Sequence, residues 1–318
     1  MRIAILDDYA GAALRLADWS GLGEITVFSD TITDSAALVE RLAPFDVICL
    51  MRERTPMPSA LIAALPNLRL IVTSGPKNAA IDVAAAKARG ITVSGTESRK
   101  TTTSELSILM MLALNRRLLP EVASLNAGGW QAGLGRDVAG LTLGLVGLGN
   151  IGAQMAVLGK ALGMEIAAWS QNLSEERCAS LGVQRVASLG ELLAVSDVAS
   201  VHMVLSERTT GLIDRAALAL AKPGMVLINT SRGPIIDSLA VLDWLRRDPT
   251  AKAGLDVFDT EPLPQDDPLR VSDLITEGRL LLTPHLGYTV EATFRLFYTQ
   301  TAEAIRAWQA GNPIRVIA

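Results

Sequence analysis

The 318-residue chain lacks most of the features that mark a specialised class of protein. It has two cysteines, Cys49 and Cys178, far apart and without metal-ligand spacing. That excludes a disulfide framework and argues against a bound metal; both thiols are expected as small core residues in a reducing cytoplasm. The formal net charge of -4 leaves no basic footprint for nucleic acid. No apolar run approaches the ~20 residues of a membrane span, and the longest, Leu106 to Leu114, reads as a buried helix. The opening Met1-Arg-Ile-Ala-Ile-Leu-Asp7-Asp8 runs into acids too soon to match a signal peptide. Histidine is equally scarce: His202 and His285 are the only two, so proton exchange near neutral pH has few candidates.

What is present is the composition of an ordinary globular protein, 49% apolar and 19% charged, at a length that predicts two domains. Residues 1–99 alternate strand and helix patterns. Strands are predicted at Arg2–Leu6, Ile25–Phe28, Val47–Met51, Leu68–Thr73 and Ile91–Val93, with helices near Ala12–Asp18, Ser35–Leu42, Ser59–Leu65 and Val83–Arg89. Such alternation indicates a parallel sheet covered on both faces. A helix predicted over Thr103–Leu119 is apolar on nearly all sides and is expected to be buried between layers or domains. A second series starts at Leu141 and continues through Glu165–Ser170, Val198–Val204, Met225–Thr230, Ala253–Val257 and Arg279–Thr283, before a long amphipathic helix near Val290–Ala310.

The second series opens on Gly147-Leu-Gly149-Asn150-Ile151-Gly152, entered from an apolar run and left on a helical apolar pattern. This is the strand-turn-helix context of a dinucleotide fingerprint. The first glycine allows the tight turn, the second lets backbone approach a pyrophosphate, and the third lets helix pack on strand, with N–H groups at the helix start facing the phosphates. The first series is complete without such a loop. A nucleotide domain at 100–287 is therefore expected, inserted into a discontinuous domain of 1–99 and 288–318.

Three further motifs follow predicted strands of the second series. Asn229-Thr230-Ser-Arg232-Gly puts Arg232 past one strand end, Gly254-Leu-Asp256-Val-Phe-Asp-Thr-Glu261-Pro puts Asp256 and Glu261 past the next, and Thr283-Pro-His285-Leu-Gly287 puts His285 past a third. Ligands of open α/β sheets sit outside the carboxyl ends of the strands, so these side chains are expected to converge on the cofactor. The types suit hydride exchange with a 2-oxo acid. An arginine fork holds a carboxylate and polarises the neighbouring carbonyl, a histidine gives a proton to the forming alkoxide, and a glutamate beside it favours imidazolium and fixes the ring.

Over essentially its whole length, and through these five motifs (Asp197-Val-Ala-Ser-Val-His202 included), the chain resembles the D-isomer-specific 2-hydroxyacid dehydrogenases. The resemblance implies two doubly wound α/β domains, a Rossmann coenzyme domain inserted into a flavodoxin-like substrate domain, and a homodimer paired through the coenzyme domains. It implies catalysis by Arg232, Glu261 and His285. It places Thr103, Gly147, Gly149, Asn150, Ile151, Gly152, Ser170, Gln171, His202, Thr230 and Asp256 along the cofactor, although His202 and Asp256 also read as structural hydrogen-bonding groups. In Ser74-Gly75-Pro76-Lys77-Asn78 the family's loop would hold the substrate carboxylate through backbone N–H groups. Gly75 and Asn78 are the candidates there, Pro76 removes one donor, and Arg52 is a weaker candidate. The cofactor is NAD or NADP. Trp169-Ser170-Gln171-Asn172 lacks the acidic residue that normally bonds the ribose and repels a 2′-phosphate, which tilts the expectation toward NADP. The alternatives are a nucleotide-sensing scaffold or corepressor on the same fold and, lower, a formate-dehydrogenase-like activity, disfavoured because such relatives carry glutamine where this chain has Glu261. The sequence leaves the particular 2-hydroxy acid open.

Overall fold

Short strands apolar along their whole length must be covered on both faces, and that requirement organises the computed structural model, described here for residues 1–270 and 273–317. By contacts the chain divides into two compact units: Met1–Arg99 together with the segment from Thr289 on, and Lys100–Tyr288. In the first unit β1 (Arg2–Ile5), α1 (Ala13–Leu16), β2 (Glu24–Val27), α2 (Ser35–Leu42), β3 (Val47–Leu50), α3 (Ser59–Ala64), β4 (Leu70–Thr73), α4 (Val83–Ala88) and β5 (Thr92–Gly95) alternate, and a long helix, Glu291–Gln309, closes the unit. The strands are parallel in the order β2-β1-β3-β4-β5, the flavodoxin-like winding. β3 (Val-Ile-Cys-Leu) and β4 (Leu-Ile-Val-Thr) are buried at every residue.

The second unit contains α5 (Thr102–Asn115), α6 (Leu118–Asn126), β6 (Thr142–Val146), α7 (Asn150–Ala161), β7 (Glu165–Trp169), α8 (Glu175–Leu181), β8 (Gln184–Arg185), α9 (Leu189–Val195), β9 (Val198–Val201), α10 (Arg215–Leu218), β10 (Val226–Asn229), α11 (Ser238–Arg247), β11 (Lys252–Leu255), α12 (Asp273–Thr276) and β12 (Leu280–Leu282). Its parallel sheet runs β12-β11-β10-β9-β6-β7-β8. Chain order reverses between β6 and β9, and at such a switch point an open sheet leaves a crevice for ligand. Alternate residues feed two cores: Val198, Val226 and Ile228 face the α5 and α7 side, and Ala199, Val201 and Leu227 face the other. The fold class expected from the sequence, two doubly wound parallel sheets, is the one found.

Most strand ends differ in one direction; β4 ends at Thr73 as expected, and β5 runs on to Gly95, past the predicted Val93. The predicted strands run past the observed carboxyl ends at Leu6, Phe28, Met51, Ser170, Thr230, Val257 and Thr283, and most clearly at Val204, three residues beyond β9 and 84% exposed. Apolar composition continues there after the ladder has stopped, because the chain is turning away from the sheet. The single helix expected over Thr103–Leu119 is two, broken at Arg117, whose φ of +56° is left-handed. Its burial is also one-sided: Met110, Met111 and Leu114 are buried, Leu109 is exposed, and no residue of α6 is buried. Gly254 explains the close approach of α5 to β11, since a Cβ there would meet Leu114 and Met110 methyl carbons at 3.1 Å. No helix among the described residues is long and apolar enough to cross a membrane.

Candidate active site

Strands β10, β11 and β12 are adjacent, parallel and in register, with Asn229 opposite Leu255 and Leu255 opposite Leu282. The three motif segments therefore leave one sheet edge side by side. Asn229 latches the first: its side-chain amide donates to the Arg232 carbonyl at 3.0 Å and its oxygen accepts from the Ser231 N–H at 3.0 Å. Gly233 then runs directly against the second segment, where an added Cβ would lie 2.1 Å from the Phe258 carbonyl carbon. That glycine lets Arg232 and the Glu261 turn share one space.

Glu261 Oε1 accepts from the Phe258 N–H at 3.0 Å, and Oε2 meets His285 Nδ1 at 2.5 Å. Both side chains are 18% exposed, so the pair is screened from most water yet reachable. His285 holds a left-handed backbone, φ +55°, with its N–H on the Thr283 carbonyl at 2.9 Å. For a non-glycine residue that conformation is uncommon and stays only where surrounding contacts impose it. Asp256, fully buried, supplies those contacts: its carboxylate accepts from Thr283 Oγ1 at 2.6 Å, from the Leu286 N–H at 2.6 Å and from the Gly287 N–H at 2.9 Å. Desolvation pushes the Asp256 carboxyl up, against the pull of those donors and of His285. Tyr288 packs edge-on to the His285 ring at 5.3 Å. The structure thus brings the Arg232, Glu261 and His285 segments to one edge of one unit, with Asp256 hydrogen-bonded to the His285 segment.

The glycine loop follows β6 at the switch point. Gly147 has φ +102°, and a Cβ there would meet the His202 carbonyl oxygen at 2.7 Å; one at Gly152 would meet the Gly147 carbonyl oxygen at 2.1 Å, while Gly149 faces open space. No side chain caps α7, and the N–H groups of Asn150, Ile151 and Gly152 have no partner among the described residues. An uncapped helix start behind an open glycine is the donor set a pyrophosphate needs. His202 Nε2 pairs with Ser200 Oγ at 2.8 Å, and burial pushes its pKa down to about 3. A ring that stays neutral is a poor proton donor. Thr103 Oγ1 donates to the Gly287 carbonyl at 3.2 Å, and the buried Thr230 hydroxyl pairs with Ser107 at 2.7 Å. Ser170 is half-buried and Gln171 exposed, just past β7.

The substrate candidates lie in the other unit, past β3 and β4. Gly75 (φ +97°) spends its N–H on Thr96 Oγ1 at 2.7 Å, and the Asn78 amide donates to the Arg52 carbonyl at 2.6 Å and to Thr73 Oγ1 at 2.9 Å. The backbone N–H groups of Lys77 and Asn78 have no partner among the described residues. Arg52, itself left-handed at φ +54°, lies over Gly75, where a Cβ would meet its Nη1 at 2.1 Å. Sequence reading missed Asn229, Gly233 and Tyr288 as parts of the site; only the polar residue at the end of an otherwise apolar β10 gave any signal. Among the described residues no cluster of His, Cys, Asp or Glu is arranged to hold a metal.

Residues 108–287 match the family model described as D-isomer specific 2-hydroxyacid dehydrogenase, NAD binding domain. A D-3-phosphoglycerate dehydrogenase of Mycobacterium leprae (strain TN) is 36% identical over 267 residues, 83% of this chain and 49% of that protein. The chain thus spans about half the length of such relatives. A glyoxylate reductase of Korarchaeum cryptofilum (strain OPF8) is 33% identical over 91% of this chain and 87% of its own. Among solved structures, a phosphoglycerate oxidoreductase from Vibrio cholerae o395 superposes with a TM-score of 0.91 at 35% identity, covering 98% of this chain and 99% of its own.

Proposed function

Because the chain belongs to the D-isomer-specific 2-hydroxyacid dehydrogenase family, we propose that it interconverts a 2-oxo acid and a D-2-hydroxy acid, with a nicotinamide cofactor supplying or accepting the hydride. The observation that carries this reading is the His285 Nδ1–Glu261 Oε2 pair at 2.5 Å on the strand edge it shares with Arg232. With Nδ1 held by carboxylate, Nε2 is the ring atom left to protonate the forming alkoxide or to take the proton back in oxidation. The Arg232 fork binds the substrate carboxylate and polarises the 2-oxo group, which a point-charge lysine would do less well. Residues 100–287 serve as the dinucleotide-binding domain; 1–99 with 288–318 serve as the substrate domain, in which Gly75, Asn78 and Arg52 are the candidate substrate-binding residues.

The uncapped α7 and the glycines before it fit a dinucleotide pyrophosphate. Gly147, Gly149, Asn150, Ile151 and Gly152 would hold it, with Thr103, Thr230, His202 and Asp256 shaping the nicotinamide end and Ser170 and Gln171 the adenosine end. We read the cofactor as NADP in preference to NAD, because Ser170 puts no negative charge where a 2′-phosphate would sit. The exposed apolar face of Leu118, Leu119, Val122, Leu125, Trp130 and Leu134 supports a homodimer paired through this unit, and the buried, unpaired thiols of Cys49 and Cys178 fit a cytoplasmic setting. The test is cofactor oxidation by glyoxylate, hydroxypyruvate, pyruvate, a phosphorylated 2-oxo acid and bulkier analogues, with NADH and NADPH in parallel. Turnover of at least one acid is expected. Nucleotide binding without turnover of any would leave the nucleotide-sensing scaffold as the function.

A further inference from the structure

The segment after β7 carries no arginine at its start, yet the fold returns one to the glycine loop. Ser170 to Leu173 form a turn closed by the Leu173 N–H on the Ser170 carbonyl at 3.1 Å, and α8 begins immediately after it, capped by Ser174. Within the first turn of α8, Arg177 Nε donates to the Leu148 carbonyl, in the middle of Gly147-Leu148-Gly149, at 3.3 Å. Trp169, next to Ser170, is tied to the same loop from the other side, its carbonyl accepting from the Gly147 N–H at 2.8 Å. Trp169, the residue before Ser170, and Arg177 are therefore anchored to consecutive residues of one loop, Gly147 and Leu148. Nη1 and Nη2 of Arg177 have no partner among the described residues, so the fork stays available at the glycine loop, to which the strand end before Ser170 is also tied. The nearby acids are Glu175 and Glu176: the Glu175 side chain is 88% exposed and turned to Arg185 at 3.9 Å, and Glu176 is exposed.

We propose that Arg177 is the specificity-determining residue that receives the 2′-phosphate of NADPH, with the Ser170 hydroxyl as a second donor. The proposal rests on the reading of this unit as a dinucleotide-binding domain. Its chemistry is ordinary: a guanidinium binds phosphate by two parallel charge-assisted bonds, and here the Nε bond to Leu148 fixes the plane in advance. A ribose hydroxyl in the same place gains far less, so the residue separates the two cofactors instead of strengthening both.

The experiment is a set of dissociation constants for NADPH and NADH, by fluorescence titration, on wild type, Arg177→Gln and Arg177→Lys, with 2′-AMP and 5′-AMP titrated calorimetrically as fragments. Arg177→Gln should weaken NADPH and 2′-AMP by about 10- to 100-fold, the loss of one charge-assisted contact, and change NADH and 5′-AMP less than about 3-fold. Arg177→Lys should fall between, keeping charge without the fork. Equal losses for both cofactors would mean that Arg177 only braces the Leu148 carbonyl, and would overturn the proposal. Undiminished NADPH binding in Arg177→Gln would overturn it too, while a tight wild-type NADPH complex would still uphold the cofactor reading. A wild type that binds NADH far more tightly than NADPH would defeat the NADP reading itself, and the assignment of Arg177 with it.

Discussion

Gly233→Ala adds one methyl group, and the structure says where it goes. The new carbon would stand 2.1 Å from the Phe258 carbonyl carbon, 2.4 Å from its oxygen and 2.5 Å from the Asp259 N, all backbone atoms. No rotamer change relieves such a contact, and Gly233 does not hold a left-handed φ, so the whole effect is steric. To restore van der Waals distance the Arg232 segment and the segment leading to Glu261 must part by about 1 Å, a misplacement that costs on the order of 10²-fold in rate when it falls on substrate-positioning groups. Overpacking of this kind also lowers stability by about 1–3 kcal/mol. The assay is kcat/KM for the best 2-oxo acid found, with thermal unfolding and cofactor binding measured on the same preparation. The expected result is a rate deficit of about 10² with the cofactor still bound, because the glycine loop follows β6, beyond β9 from β10. A folded Gly233→Ala protein within about 3-fold of wild-type kcat/KM would refute the claim that close backbone contact sets the Arg232–Glu261 geometry.

Three further outcomes are expected. His285→Ala should lower 2-oxo acid reduction by at least ~10², the low end for a general acid, with cofactor dissociation constants nearly unchanged; wild-type turnover would remove His285 from proton transfer. Arg232→Lys should damage kcat/KM far more than loss of charge alone would predict, since the charge remains and the fork does not; full efficiency would move the carboxylate site to the Lys77 loop. Asp197 accepts from the Thr142 N–H at 2.9 Å and meets Lys222 at 2.8 Å and Arg136 at 2.5 Å. Desolvation pushes its carboxyl up and these partners overcome that push, leaving it below the ordinary value. A lowered folded pKa stabilises above the unfolded value and is lost as pH falls through the folded one. Asp197→Asn should therefore cost about 1–3 kcal/mol near neutrality, and the gap from wild type in urea unfolding should close only below about pH 4; a gap that closes nearer pH 6 would contradict the assignment.

The doubly wound fold was legible because buried parallel strands write themselves as unbroken apolar runs, and the glycine loop because its spacing answers to a steric need. The placement of Arg232, Glu261 and His285 past neighbouring strand ends was legible because each follows such a run. The carboxyl ends of the strands were misread for the same reason: at Val204 and Val257 composition stays apolar where the backbone has begun to turn. The break at Arg117 carries no sequence mark, since an arginine in left-handed conformation looks like any other. Gly233 and Arg177 touch neighbours distant in sequence, and their contacts emerge only when Phe258 and Leu148 are seen beside them. Asn229 and Tyr288 touch neighbours two or three residues away, but no sequence pattern marks a side chain that turns back on its own segment.

The three segments that carry Arg232, Glu261 and His285 leave three neighbouring parallel strands, so their starting points are spaced by the repeat of the sheet, about 4.8 Å from strand to strand, and not by the length of the chain between them. The sheet acts as a ruler, and α11 and α12, each with the chain that follows it, are merely the return paths that bring the chain back to its next mark. Insertions or sequence drift in those paths should leave the ruler's marks where they are, whereas a one-residue slip of β11 against β10 would turn the Glu261 segment over with its strand. The part of this protein that evolution can least afford to re-register is thus four residues long, Lys252–Leu255, and holds none of the three groups itself.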